Sequence, residues 1–185
     1  MGKTELPIEK IVQKLNLLPL TGEGGLFTQT YRSSLEIPTD VLSGNYTGAS
    51  KPAGTAIFYL LTDQPNSFSA FHRLPSDEIY HFYLGDPLEM VLLYPDGSSQ
   101  HILLGQDLFN DQCLQFVVPA GVWQASSVAP GGRFSLVGTT MAPGFTPEDF
   151  IEGQRETLLA QYPQEKAAVL SLTRTHLSIP SQSKS

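Results

Sequence analysis

Residues 71–85 hold two of the chain's four histidines, two adjacent carboxylates and an arginine, set among apolar residues that alternate as in a strand. Polar chemistry on a strand points to a barrel wall that faces a pocket. A histidine beside a carboxylate in such an apolar lumen is equipment for removing a proton next to a carbonyl group. His72 and Glu78 are the pair placed for that work, with His81 as a further candidate. A second stretch, Val118-Pro119-Ala120-Gly121-Val122-Trp123-Gln124, follows about a strand and hairpin later.

These residues need strands to hold them. Residues 55–61, 69–74, 78–84, 88–94, 99–104, 113–118, 123–128 and 134–141 are short apolar or alternating runs separated by turn residues. Pro95-Asp96-Gly97 is a strong turn, because Pro presets φ and Gly tolerates positive φ. Many short strands at even spacing predict a sandwich or barrel. Ahead of them, residues 7–18 carry one apolar stripe (Ile8, Ile11, Val12, Leu15) and predict an amphipathic helix. Residues 27–34 predict a polar-faced strand, and residues 37–52, rich in Gly, Ser, Asn and Thr, a long loop. Thr146-Pro147-Glu148-Asp149 has the residues of a helix start, with a cap, a first-turn Pro and acids at the positive end of the dipole. That helix runs towards Tyr162, and another segment follows Pro163. The divisions expected are a helical segment over 1–20, a barrel over 21–145, a helical extension over 146–176 and a flexible tail over 177–185.

At 185 residues the chain fits one domain with terminal additions. It has 18 acidic against 11 basic residues, a formal net charge of −7, which disfavours a protein that tracks phosphates. No nucleic-acid partner is expected. No run reaches the roughly 18 apolar residues that span a bilayer. The start has no apolar signal region, and Leu6 stands where a myristoylation signal wants Ser or Thr. Cys113 is the single cysteine, so no internal disulfide forms. A cytoplasmic protein without a membrane partner is expected.

The motifs resemble those of the cupins. Their first motif has His-x-His, then Glu, then Gly; here His72, Glu78 and Gly85 match, and Leu74 falls at the second His. Their second motif has Pro-x-Gly-x-x-His; here Pro119 and Gly121 match, and Gln124 stands for the His. With Gly24-Gly25, Tyr31-Arg32-Ser33, His81 and Trp123, the chain resembles one small-cupin family often described as predicted sugar epimerases, whose role is unsettled. The resemblance implies an all-β, double-stranded β-helix (jelly-roll barrel) with a short N-terminal helix and C-terminal helices. It also implies a homodimer and a small-molecule ligand. His72 falls at the base position of the metal-free sugar-nucleotide epimerases that share this barrel. Their acid is a Tyr on the strand after the second motif, and residues 134–139 contain none.

Strand alternation sorts the faces. His72 shares a face with Ala70 and Leu74; Glu78 shares one with Tyr80 and Phe82, which leaves His81 opposite. Gln124 faces in with Val122, and Trp123 faces out. Tyr31, Arg32, Tyr59, Tyr80 and Gln124 are the candidates to hold a polar, sugar-like ligand. Three readings stay open. One is an isomerase or epimerase acting by proton transfer through His72 and Glu78 on a sugar or sugar-nucleotide type ligand. Another is a non-catalytic binding protein with a mostly apolar lumen. The third is a metal-dependent cupin using His72, Glu78 and Gln124, a donor set poor in the histidine that first-row metals prefer. No cofactor is expected under the first two.

Overall fold

A computed structural model describes residues 7–174. In chain order its strands are β1 (Leu18–Pro19), β2 (Leu26–Arg32), β3 (Glu36–Pro38), β4 (Ser50–Pro52), β5 (Thr55–Thr62), β6 (Ser69–Arg73) and β7 (Glu78–Gly85). There follow β8 (Leu88–Leu93), β9 (Ser99–Leu104), β10 (Gln115–Val118), β11 (Trp123–Val128), β12 (Phe134–Met141) and β13 (Ile151–Glu152). Helix α1 (Ile8–Leu15) precedes them; α2 (Arg155–Gln161) and α3 (Lys166–Ser171) close the described chain.

Two antiparallel sheets face each other. One has six strands in the order β1-β2-β5-β12-β7-β10, the other five in the order β13-β6-β11-β8-β9. The fold is the double-stranded β-helix, with a short helix before the barrel and helices after it. Alternation drives the packing, because each strand sends every second side chain inward. Tyr59, Tyr80, Phe82 and Val137 of the larger sheet meet Leu88, Met90 and Leu92 of the smaller one inside the barrel. Burial of that apolar surface is the main stabilising contribution, about 1.5–3 kcal/mol for each fully buried large side chain.

The opposite faces are covered by helices. Ile8, Ile11, Val12 and Leu15 of α1 pack on Leu60, Phe134 and Leu136 at one end of the larger sheet. α1 is shorter than the stripe predicts: it stops at Leu15, Asn16 turns left-handed at φ 51°, and Leu18 pairs with Phe27 in the sheet. Leu158, Tyr162, Val169 and Leu172, from α2, α3 and their flanks, cover Phe71, Val91 and Trp123 on the smaller sheet. Trp123 thus faces out of the barrel, as alternation predicts, and carries Arg73 over its ring at 4.6 Å.

Two expectations need correction. No α-helix begins at Thr146. A single 3-10 turn, Pro147–Asp149, is followed by β13, which pairs Ile151 with Arg73 and Glu152 with His72. Thr146 has extended backbone and makes no cap bond; its hydroxyl is engaged by Lys51 and Asp149 instead. The α-helix starts only at Arg155. The long loop at 37–52 is also not all loop, since its ends form the β3–β4 ladder, with Ile37 opposite Lys51. The 177–185 tail and His176 lie outside the described residues. Among the described residues no helix is long and apolar enough to cross a membrane.

Candidate functional site

The barrel interior changes character along its strands. On β5, Thr55 and Ile57 line a cavity while Tyr59 and Leu61 are packed in the core. On β7 the cavity residue is Glu78 and the core residues are Tyr80 and Phe82; on β12 they are Thr139 and Met141 against Val137. The cavity encloses about 630 Å³, lined by His72, Glu78, Glu23 and Arg32 among apolar residues such as Leu20, Phe27, Ile57 and Leu74. That volume is of the order that holds a small ligand, about 300–1,000 Å³.

His72 comes from the middle of β6 and is almost wholly buried. Its Nδ1 lies 2.8 Å from the carbonyl oxygen of Ala70. A carbonyl only accepts, so Nδ1 carries the donated hydrogen and, in the neutral ring, Nε2 holds the lone pair. Phe150 stacks on the imidazole with centroids 5.1 Å apart. The backbone bond fixes the tautomer and the stacking fixes the ring plane, which is how a base is held ready.

Glu78 opens β7 on the facing sheet. Its Oε2 accepts a hydrogen bond of 2.7 Å from Nε2 of the buried Gln124, whose partner across β11–β6 is His72. Gln124 therefore ties the two sheets together at the cavity floor. Burial pushes the Glu78 carboxyl above the ordinary carboxylate range; His72 pulls it back, the Glu23 charge raises it, and bonds from Thr139 and Gln124 lower it. The turn before Glu78 is anchored too. Asp77 accepts the Ala120 backbone N–H at 2.8 Å, so it joins the two motif loops rather than only shaping its own.

One edge of the cavity is held by a buried ion pair. Lys51 Nζ and Asp149 Oδ2 are 2.6 Å apart, and Asp149 Oδ1 accepts the Thr47 hydroxyl at 2.9 Å. This clamps residues 145–150, which place Phe145, Thr146, Pro147 and Glu148 along the cavity and Phe150 on His72, to the 47–51 segment. Arg32 lines the same cavity, half-exposed, with its guanidinium 2.7 Å from Glu36.

The predicted residues divide three ways. His72, Glu78 and Arg32 share the cavity, and Gln124 joins them through Glu78. Tyr59 and Tyr80 point into the barrel but sit in its packed half. Burial holds both phenols well above their ordinary value, and Tyr59 donates to the Gly24 carbonyl at 2.9 Å. Tyr31 and His81 stand apart from the site. Tyr31 is exposed beside Gly54. His81 is on the outer face of β7, next to Gln115 at 3.0 Å and Thr140 at 3.2 Å, because no bulge inverts the alternation between it and Glu78. Glu23, Thr139 and Phe150 were not foreseen. Glu23 reaches the cavity from a turn where Gly24 and Gly25 adopt φ of 112° and 67°, backbone that favours glycine. That Gly-Gly pair after an acid was the available signal.

The donor set does not fit a resident transition metal. Leu74 offers no donor, and Gln124 directs its amide nitrogen, itself a donor, at Glu78. Among the described residues no three His, Cys, Asp or Glu side chains converge as metal ligands would.

Over residues 9–151 the chain matches the family described as Cupin superfamily (DUF985). An uncharacterised Saccharomyces cerevisiae protein, YML079W, is 36% identical over 159 residues, 80% of this chain and 77% of that protein. Protein SO0799 from Shewanella oneidensis is 34% identical, and its crystal structure superposes with a TM-score of 0.78 over 93% of this chain and 100% of that one. A hypothetical protein from Leishmania major is 30% identical, with a TM-score of 0.81 over 92% of this chain and 100% of that one.

Proposed function

This chain belongs to the DUF985 family of the cupin superfamily, a small-molecule-binding fold, and from that premise we propose that it is an isomerase acting by proton transfer on a sugar-like ligand. The observation that carries the reading is the single cavity shared by His72 and Glu78. The Ala70 carbonyl holds His72 in the tautomer whose Nε2 accepts a proton. Glu78, with its carboxyl raised by burial, is matched to giving or sharing a proton nearer neutral pH than an exposed Glu. Removal of a proton beside a carbonyl by His72, and its return on either face with help from Glu78, would invert or shift a stereocentre. Leu20, Ile57 and Phe27 would exclude water from the exchange.

One observation favours a second reading, a binding protein without catalysis. Among the described residues, no tyrosine lines the cavity to serve as the acid, since Tyr59 and Tyr80 are packed in the core and Tyr31 is exposed.

The test is deuterium uptake from heavy water into a panel of free ketoses and amino sugars, followed by mass spectrometry. Uptake that falls about 10²–10⁴-fold in His72→Ala, with an unchanged circular dichroism spectrum, is the expected result. No uptake into any panel member, or uptake indifferent to His72, would sink the isomerase reading.

A further inference from the structure

We infer that the ligand brings a protonated amine to the cavity, rather than a phosphate or carboxylate. The inference rests on the cavity being the binding site, though not on its being catalytic. It comes from an excess of acids over bases in the cavity wall. Among the described residues lining the cavity, the acids are Glu23, Glu78 and Glu148, and the bases are His72 and Arg32. Arg32 is already committed to Glu36 at 2.7 Å. Nearby cations are turned elsewhere: Lys51 is buried against Asp149, and Arg73 lies over Trp123.

The inner carboxylates are anchored by neutral groups. Glu23 Oε1 takes the Ser69 hydroxyl at 2.8 Å, and Glu78 Oε2 takes the Gln124 amide at 2.7 Å. Dipoles satisfy a lone pair but carry no net charge, which leaves His72 as the one ionisable base acting on Glu78. The two carboxylates also feel each other, which is one reason the Glu78 carboxyl is raised. Beside Glu78, the buried Gln124 Oε1 has no hydrogen-bond partner, a further acceptor in want of a donor.

An ammonium group answers the excess of acids. It is a compact positive charge with several N–H donors and no acceptor. Phe27 and Phe145, which also line the cavity, offer aromatic surface to the carbon skeleton behind the amine. A diphosphate or carboxylate would set like charge against Glu23, Glu78 and Glu148, with only His72 and the Glu36-bound Arg32 to offset it, and such juxtaposition is what excludes a partner. The site is therefore set against nucleotide-linked ligands and towards amino sugars or related amines.

Three matched probes decide it: glucosamine, glucose and glucose 1-phosphate, titrated calorimetrically into the full chain at about pH 6.5, below the ordinary amine pKa. The expected ranking is glucosamine first by about tenfold or more, glucose next, glucose 1-phosphate last. Glu23→Gln and Glu78→Gln should each shrink the preference for glucosamine over glucose, while His81→Ala, on the outer face of the barrel, keeps it. Equal or tighter binding of glucose 1-phosphate overturns the inference. So does equal binding of glucosamine and glucose, a preference that survives both Gln substitutions, or no binding by any of the three. Because these are equilibrium affinities, the charge preference can hold when deuterium uptake fails, and the reverse.

Discussion

Strand β5 passes from Thr55 and Ile57 beside a cavity to Tyr59 and Leu61 inside a solid core, and β7 and β12 repeat the change from Glu78 to Tyr80 and from Met141 to Val137. The same strands, twist and alternation thus build a hollow end and a filled end. Side-chain size decides which is which. Aromatic rings at Tyr59, Tyr80 and Phe82 belong to the packed core, whereas the smaller His72, Glu78, Thr139 and Leu74 line the cavity. Polar groups are also treated differently. In the filled end Tyr59 is paired with the Gly24 carbonyl, while the hollow end keeps a carboxyl raised by burial and an unpartnered Gln124 oxygen. Packing dominates one end, and the carboxyls and the imidazole are gathered at the other.

Paired truncations test that division most strongly. Leu92→Ala, fully buried in the filled end, should lower unfolding free energy by about 2–5 kcal/mol, because a closed void remains. Ile57→Ala, which only enlarges an existing cavity, should lower it by about 1–2 kcal/mol. Equal losses in urea titrations would mean that the two ends are packed alike.

A smaller effect sharpens the electrostatic half of the contrast. The folded Glu78 carboxyl is raised, so between its unfolded and folded values the native state binds more protons, and stability falls as pH rises. Glu78→Gln removes that penalty. Wild type should match the variant most closely below the ordinary carboxylate range and lose ground to it as pH climbs through the raised value. A gap that does not change with pH would show that the carboxyl is not raised. The smallest effect belongs outside the barrel. His81→Ala loses the contacts to Gln115 and Thr140, at about 1 kcal/mol, and should leave deuterium uptake unchanged. Loss of uptake in this variant would return His81 to the site.

The architecture was legible because alternation is local: the faces of His72, Glu78, Trp123 and His81 follow from counting by twos along a strand. The depth of the cavity was not. Whether Tyr59 and Tyr80 reach a ligand or fill the core depends on what faces them from the other sheet, which no window along β5 or β7 contains. Arg32 reaches the cavity three residues after Gln29, across a register shift between Gln29 and Tyr31 that periodicity does not announce. The helix expected at Thr146 failed because a distant Lys51 engaged the capping hydroxyl. Local propensity lost to a tertiary contact.

Lys51 and Asp149 are nearly sealed from solvent at 1% and 3% side-chain exposure. Substituting either alone strands a bare charge, a loss of about 3–5 kcal/mol, when a whole domain's margin is about 5–15 kcal/mol. Exchanging both together, for instance for two apolar residues of matching volume, avoids that loss, so the two positions are tolerant only as a couple.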